Sequence, residues 1–356
     1  MPRVSVIIPV YNLATYLPEA IESALGQTLP PDDVEVVVVD DGSTDGSGEV
    51  ARRYAPRVRV VRQENRGLPA ARNAGLRATS APFVNFLDAD DRLLPDKLAA
   101  QLAVFAERPD AGVVTSGVRY VDARGGLLPP HGWARVDGAV LPQLVLGNFG
   151  PPHALLLRRA PLLAAGGFDE TLAAAEDWDL WLRLARAGVR WALVDRPLAD
   201  YRVRPGAMHQ DPERMAQSCL RVLDKVFADP ALPEDIRRLR PRAYQNVALT
   251  AACDHYRAGE RAAGSRWLRA AARARPALLG EPRGLRRICR LLLPVEQQSE
   301  AAVLADWRRL AATLETMLRD LFAAPDLEPE IARLRWRARL AYWRTVARWW
   351  RKTRWM

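Results

Sequence analysis

The first 90 residues are short apolar blocks separated by polar clusters. Val4–Val10 and Val34–Val39 are continuous β-branched runs bounded by Pro, Asn, Asp and Gly, the pattern of strands buried on both faces of a parallel sheet. Between them Leu17, Ala20, Ile21, Ala24 and Leu25 recur at helical spacing. A third run, Val58–Val61, follows another helical stretch, and a fourth, Pro82–Leu87, follows Ala70–Ala78. Strands alternating with helices predict a layered α/β domain with ligands at the carboxyl ends of its strands. Lys97–Ala106 and Asp177–Ala187 predict further helices, Leu180, Trp181, Leu184 and Ala185 sharing a face of the second. Gly112–Val118 and His153–Leu157 read as strands, and Gly125–Gly138 as loop.

After about Pro212 the strand signal gives way to long Ala, Leu and Arg stretches with periodic apolar positions, a helical appendix. The boundaries drawn are 1–212 for the α/β domain, 213–325 for the appendix and 326–356 for a basic tail. Leu249, Ala252, Tyr256 and Gly259, followed by Ala263, Leu268, Ala271 and Pro276, resemble one helical hairpin of the tetratricopeptide type. A single copy cannot stack into an array, so a plain helical pair packing on the first domain is the simpler reading.

Charge is distributed unevenly. The 356 residues carry a net +10, but residues 331–356 hold eight Arg and one Lys with no acid, which leaves +1 for the first 330. The basicity belongs to the tail, and no nucleic-acid partner is expected. Three cysteines, Cys219, Cys253 and Cys289, form no Cys-x-x-Cys pair and read as a reducing compartment. The N-terminal apolar run is too short for a secretory leader, and every hydrophobic run is interrupted before the ~18 residues a bilayer span needs. The expected location is cytoplasmic.

Two acidic clusters lie where predicted strands end: Asp40-Asp41-Gly42-Ser43-Thr44-Asp45 and Asp88-Ala89-Asp90-Asp91. Crowded carboxylates repel unless cations or donors compensate, and Asp-x-Asp at a strand end suits Mg²⁺ or Mn²⁺. Turn formation by Asp and Gly explains either cluster alone; two at neighbouring strand ends point to a metal and nucleotide site. Arg72, early in a predicted helix, can face a diphosphate with its planar fork, or simply face solvent. Glu176-Asp177-Trp178-Asp179 opens a helix, where acids also serve the helix dipole, and Trp178 can be a core residue. There is no phosphate-loop sequence, no strand-linked Gly-x-Gly-x-x-Gly and no His-Glu-x-x-His.

Ser5-Val6-Ile7-Ile8-Pro9-Val10-Tyr11-Asn12, Val39-Asp40-Asp41-Gly42-Ser43, Asn65-Arg66-Gly67 with Ala71-Arg72-Asn73, Phe86-Leu87-Asp88-Ala89-Asp90-Asp91, Gly167-Phe168-Asp169-Glu170 and Glu176-Asp177-Trp178-Asp179 together resemble the family 2 glycosyltransferases of GT-A fold, over about residues 3–205. The resemblance implies a Rossmann-like α/β domain. It also implies inverting, metal-dependent transfer of a sugar from a nucleotide diphosphate sugar to a saccharide or lipid-linked acceptor, in surface polysaccharide or glycolipid assembly. UDP is the default nucleotide, with GDP and dTDP as alternatives. By motif position, Pro9, Tyr11, Asp40 and Asp41 meet the base or ribose and Arg72 the diphosphate. Asp88, Asp90 and Asp91 form the donor-sugar and metal region, Asp90 and Asp91 holding Mn²⁺ or Mg²⁺. Asp177 is implied as the general base, with Glu176 and Trp178 on the acceptor side. Alternatives are a non-catalytic nucleotide-sugar-binding scaffold and, against the absence of a Gly-rich basic loop after the first strand, a sugar-1-phosphate nucleotidyltransferase.

The tail, residues 331–356, adds five Trp to its nine cations. On a helical wheel Arg333, Arg337, Arg344, Arg348 and Arg351 share one side, and Ile331, Tyr342, Trp343, Val346 and Trp350 lie towards the other. Cations with interfacial aromatics suit peripheral attachment to an anionic membrane on the inner face of the cell. Packing of the same helix against the appendix is the competing expectation.

Overall fold

The computed structural model describes residues 1–129, 133–207, 210–276, 282–293, 300–323, 329–333 and 335–353. They form two compact units: residues 1–144 with 148–207, and residues 145–147 with 208–356.

The first unit is built on an eight-stranded mixed sheet. Its strands are β1 (Val4–Val10), β2 (Val34–Asp40), β3 (Val58–Arg62), β4 (Phe83–Phe86), β5 (Arg92–Leu93), β6 (Ala111–Val121), β7 (Leu156–Arg158) and β8 (Arg190–Arg202). They lie in the order β3-β2-β1-β4-β7-β6-β8-β5. β1 runs parallel to β2 and β4, with Val10 opposite Asp40 and Ile7 opposite Phe86. That register brings Tyr11, Asp41 and Asp88 out at the same edge. Val6, Ile8, Val36 and Val38 pack with Leu17, Ala20 and Ile21 of the helix Leu17–Leu25 in one apolar core. The helix Leu68–Ala78 lies on β1 and β2 so closely that a Cβ on Gly75 would sit 2.2 Å from Ile7 Cγ2. Only glycine permits that approach, which holds Arg72 above the strand ends.

Two expectations are corrected here. His153 lies in a 3-10 turn, Pro152–Ala154, ahead of the short strand β7, because Pro151 and Pro152 cannot donate to a ladder. The 13-residue β8, which no periodicity announced, pairs with β6 through register shifts around Pro197. The polar stretch Asp195-Arg196-Pro197 disguises it in the sequence.

The second unit is helical over its described residues. The helices Arg240–Arg257 and Arg261–Ala274 form a hairpin, and Leu249, Leu268, Ile288, Leu314 and Met317 share one core with Ala338, Ala341 and Tyr342 of the helix Arg335–Thr353. The basic helix therefore packs on the appendix. Ile331 and Tyr342 are buried as the wheel implied, but Trp343 is 61% exposed, because one residue step past Tyr342 swings it clear of that core. The Trp350 side chain and residues 354–356 lie outside the described residues.

Candidate functional site

Parallel strand ends assemble the first wall. Pro9 is buried in β1 and Tyr11, just beyond it, is half exposed. Asp40 Oδ1 accepts the Ser43 amide at 2.9 Å, while Oδ2 lies 3.6 Å from Arg62. Asp41 closes a loop: Oδ1 accepts from Gln63 Nε2 at 2.7 Å and the Arg66 amide at 3.0 Å, and Oδ2 from the Gly67 amide at 2.8 Å. Asn12, with φ of 53°, accepts the Thr44 amide at 2.8 Å and ties the β1 end to the loop after β2.

Arg72 is the hub of the second wall. Only 2% of its side chain is exposed, yet Nη2 lies 2.6 Å from Asp88 and Nη1 2.5 Å from Glu176. Its guanidinium also lies over the Phe168 ring, 5.3 Å from the centroid. Burial works against the charge, but Asp88, Glu176 and Asp177 outweigh it and hold the proton more firmly than usual. The neighbouring Asn73 clamps the Gly-Phe-Asp-Glu segment. Its Nδ2 donates to Phe168 O at 2.9 Å and to Glu170 at 3.0 Å, and its Oδ1 accepts the Phe168 amide. A Cβ on Gly167, whose φ is +70°, would lie 2.6 Å from that Oδ1.

The helix Glu176–Arg186 begins abruptly, because Ala175 adopts φ of 59°, a left-handed conformation rare for residues with a Cβ. This turn aims Glu176 at Arg72 and leaves Asp177 half-buried. Asp177 accepts from Asn148 Nδ2 at 3.0 Å and from the Trp178 amide at 2.6 Å. Lost hydration, then the adjacent Glu176, push its carboxyl up to about 7, against the pull of Arg72 and the two donors. Trp178 is 2% exposed and its indole donates to Leu144 O at 2.8 Å; Glu176 is buried too. Both residues expected on the acceptor side are thus held inside the unit beside Asp177.

Each acid of the Asp88–Asp91 segment has its own basic neighbour. Asp88 faces Arg72; Asp90 Oδ2 lies 2.6 Å from Arg204 Nε; Asp91 Oδ2 lies 2.9 Å from His153 Nδ1, and its Oδ1 accepts the Arg202 amide at 2.7 Å. Burial, then Asp91, raise the Asp90 carboxyl to about 6 despite Arg204. Burial opposes the His153 imidazolium, but Asp91 reverses this and raises its titration.

As a test of fit for a divalent ion, Asp88, Asp91 and His153 each place a ligand atom within 4.8 Å of the others, and the wholly buried His153 Nε2 has no hydrogen-bond partner. Two carboxylates and an imidazole form a donor set that suits a divalent ion such as Mn²⁺. Sequence reasoning missed His153 and Arg204, since neither sits in a motif and both reach the acids only through the far half of the sheet.

Comparisons with known proteins follow the same lines. The family profile described as Glycosyl transferase family 2 matches residues 5–160, and that of Glycosyl transferase family group 2 matches residues 83–253. The chain is 31% identical over 234 residues to the uncharacterized glycosyltransferase EpsJ of Bacillus subtilis, covering 61% of this chain and 65% of EpsJ. It spans still less, 27% to 32%, of the next three curated relatives. Among solved structures, S. aureus TarS 1–349 in complex with UDP superposes with a TM-score of 0.59 at 20% identity, covering 93% of this chain and 95% of that one. The mannosyltransferase PcManGT from Pyrobaculum calidifontis, in complex with GDP-Man and Mn²⁺, gives 0.57 at 22% identity, covering 91% and 88%. At these identities the two structures establish a shared fold.

Proposed function

Because the first unit of this chain belongs to glycosyl transferase family 2, we propose that it moves a sugar from a nucleotide diphosphate sugar, by default a UDP-sugar, to an acceptor hydroxyl with inversion. The single observation that carries this reading is Asp177, a carboxylate raised to about 7. A base that titrates near neutral pH is matched to drawing a proton from a hydroxyl in the transition state. Its Asn148 and Trp178 contacts orient it, and Glu176 keeps its proton affinity high.

Pro9, Tyr11, Asp40 and Asp41 are the proposed contacts for base and ribose. Arg72 is the proposed diphosphate partner by its place in the motif; its guanidinium is buried between Asp88 and Glu176. A Mn²⁺ or Mg²⁺ ion held by Asp90 and Asp91, as the motif implies, or by Asp88, Asp91 and His153, whose ligand atoms lie within 4.8 Å of one another, would offset the charge developing on the leaving diphosphate. With Asp177 as the one proposed base and Glu176 tied to Arg72, a single in-line displacement inverts the anomeric carbon. The proposed setting is assembly of a surface polysaccharide or lipid-linked glycan.

The second unit offers a membrane surface. The exposed face of the helix Arg335–Thr353 carries Arg337, Arg339, Arg344 and Arg348 with the exposed Leu340 and Trp343, a composition that supports peripheral attachment to anionic lipid. No helix among the described residues is long and apolar enough to cross a membrane.

The test is a screen of nucleotide sugars and acceptors with Mn²⁺ or Mg²⁺, following released nucleoside diphosphate. Turnover by the wild type, abolished in Asp177→Asn while donor binding survives, is the expected outcome. Donor binding without turnover across the panel would replace the enzyme with a nucleotide-sugar-binding scaffold.

A further inference from the structure

We propose that Gln63 reads the nucleobase: its side-chain carbonyl accepts from a ring N–H, so the site takes keto bases such as uracil, thymine or guanine and disfavours cytosine and adenine. The inference rests on the nucleotide site of the proposed function and names what selects the base there.

Asp41 is the proposed base contact, yet most of its capacity is spent inside the protein. It is 3% exposed; Oδ1 accepts from both Gln63 Nε2 and the Arg66 amide, and Oδ2 from the Gly67 amide. A carboxylate has about four lone-pair positions, so about one is left for a ligand. Gln63 is in the opposite condition. Its Nε2 is committed to Asp41 at 2.7 Å, while Oε1 has no hydrogen-bond partner among the described residues and the side chain is only half-buried. The direction of that amide is fixed. Turned over, Oε1 would meet Asp41 Oδ1 at the same distance, lone pair against lone pair, because Oδ1 already accepts the Arg66 amide. The backbone is fixed as well: the Gln63 amide donates to Asp40 O at 3.0 Å, and a Cβ on Gly42 would lie 2.8 Å from the amide nitrogen of Asn65.

The Asp41 amide donates to Val10 O at 2.9 Å, which sets the Asp41–Gln63 pair beside Tyr11, the next residue along. Gln63 Oε1 is therefore an oriented acceptor that cannot exchange roles with its own amide nitrogen. Uracil N3, thymine N3 and guanine N1 carry a hydrogen and can donate to it, whereas cytosine N3 and adenine N1 present a lone pair at the same edge. A buried polar group facing the wrong base stays unpaired, which is how a site built to hydrogen-bond one ligand rejects its analogue. Asn65 is exposed on the same loop, but its side chain has no hydrogen bond among the described residues to set its amide. An amide free to turn donates or accepts alike and selects no base.

The experiment is calorimetric binding of nucleoside diphosphates to the full chain with Mg²⁺, in pairs that differ only at the edge in question: UDP against CDP, and inosine diphosphate against ADP. It compares wild type, Gln63→Met and Gln63→Ala, each checked for a wild-type thermal transition. In whichever pair binds, wild type is expected to favour the keto base by about tenfold, and both variants to bring that ratio within about twofold through weaker binding of the keto base. Loss of loop support alone would weaken both members of a pair alike, so the ratio reports base reading separately from structure. A ratio near one in wild type, or a ratio that both variants leave in place, overturns the inference and leaves the proposed function standing. Absence of nucleotide binding in wild type overturns it together with the nucleotide part of the proposed function.

Discussion

Arg72 donates to Glu176 at 2.5 Å across 104 residues of sequence, joining the helix Leu68–Ala78 to the helix that carries Asp177. Removing one partner of so buried a pair leaves an uncompensated charge. Arg72→Met is therefore expected to destabilise the first unit by about 3–5 kcal/mol in chemical denaturation. Arg72→Lys, which keeps the charge but reaches only one carboxylate at a time, is expected to fall between the two.

The proposed role of Asp177 predicts a pH dependence. As the proposed base it must be ionised to accept a proton, so kcat is expected to rise with pH through about 7 and level off above it. Asp177→Asn is expected to lower kcat by about 10²–10⁴-fold with little change in donor affinity, measured by steady-state kinetics and calorimetry. The same group affects stability in the opposite sense. Its folded carboxyl holds a proton that the unfolded chain has already released, so stability falls as pH rises from the ordinary aspartate range to about 7. Asp177→Asn is expected to flatten that slope and to melt higher than wild type at pH 8.

Lys97 is fully buried on the helix Lys97–Glu107, its Nζ 2.6 Å from Gln101 Oε1, and burial pushes its ammonium down to about 7. Between about 7 and the ordinary lysine range the unfolded chain binds the extra proton. Stability is therefore expected to climb with pH over that interval. Lys97→Met, similar in length and without charge, is expected to remove the climb and to raise stability at neutral pH. Urea melts at pH 7 and pH 9 would show both effects, and a parallel rise in wild type and variant would contradict them.

Gly75 tolerates nothing larger. With Ile7 2.2 Å from where a Cβ would stand, Gly75→Ala is expected to push the helix Leu68–Ala78 off the sheet and cost about 1–3 kcal/mol. Because Arg72 rides on that helix, donor affinity measured by calorimetry should weaken with stability. In Gly75→Ala/Ile7→Val a partial recovery of both is expected.

The proposed membrane face of the second unit is testable without truncation, which would strip Ala338, Ala341 and Tyr342 from the appendix core. Co-sedimentation with vesicles rich in phosphatidylserine is expected for the full chain at low salt and to fade at high salt. Replacing Arg337, Arg344 and Arg348 by Gln should abolish it while leaving the thermal transition of the unit in place. Binding that is indifferent to both salt and these replacements would exclude the electrostatic account.

The parallel strands and the strand-end acids were readable because a doubly buried strand must be an unbroken apolar run, and the polar residues after it have nowhere to go but the edge. Arg72 and Asp177 stood in motifs for the same local reason. β8 was not readable, since the exposed Asp195 and Arg196 and the following Pro197 interrupt its pattern. Nor were the partners of the acids: Arg204 meets Asp90 across 114 residues, and nothing in the sequence around either residue encodes that meeting.

The backward turn at Ala175 bears on how freely this chain can vary. A branched or bulky side chain would strain against its own backbone there, whereas Gly, Asn or Asp would be accommodated. A saturation library at position 175 should therefore show tight selection, comparable to that at the acids around it, although a methyl group performs no chemistry. Such a site marks where geometry, rather than reactivity, limits what a protein can become.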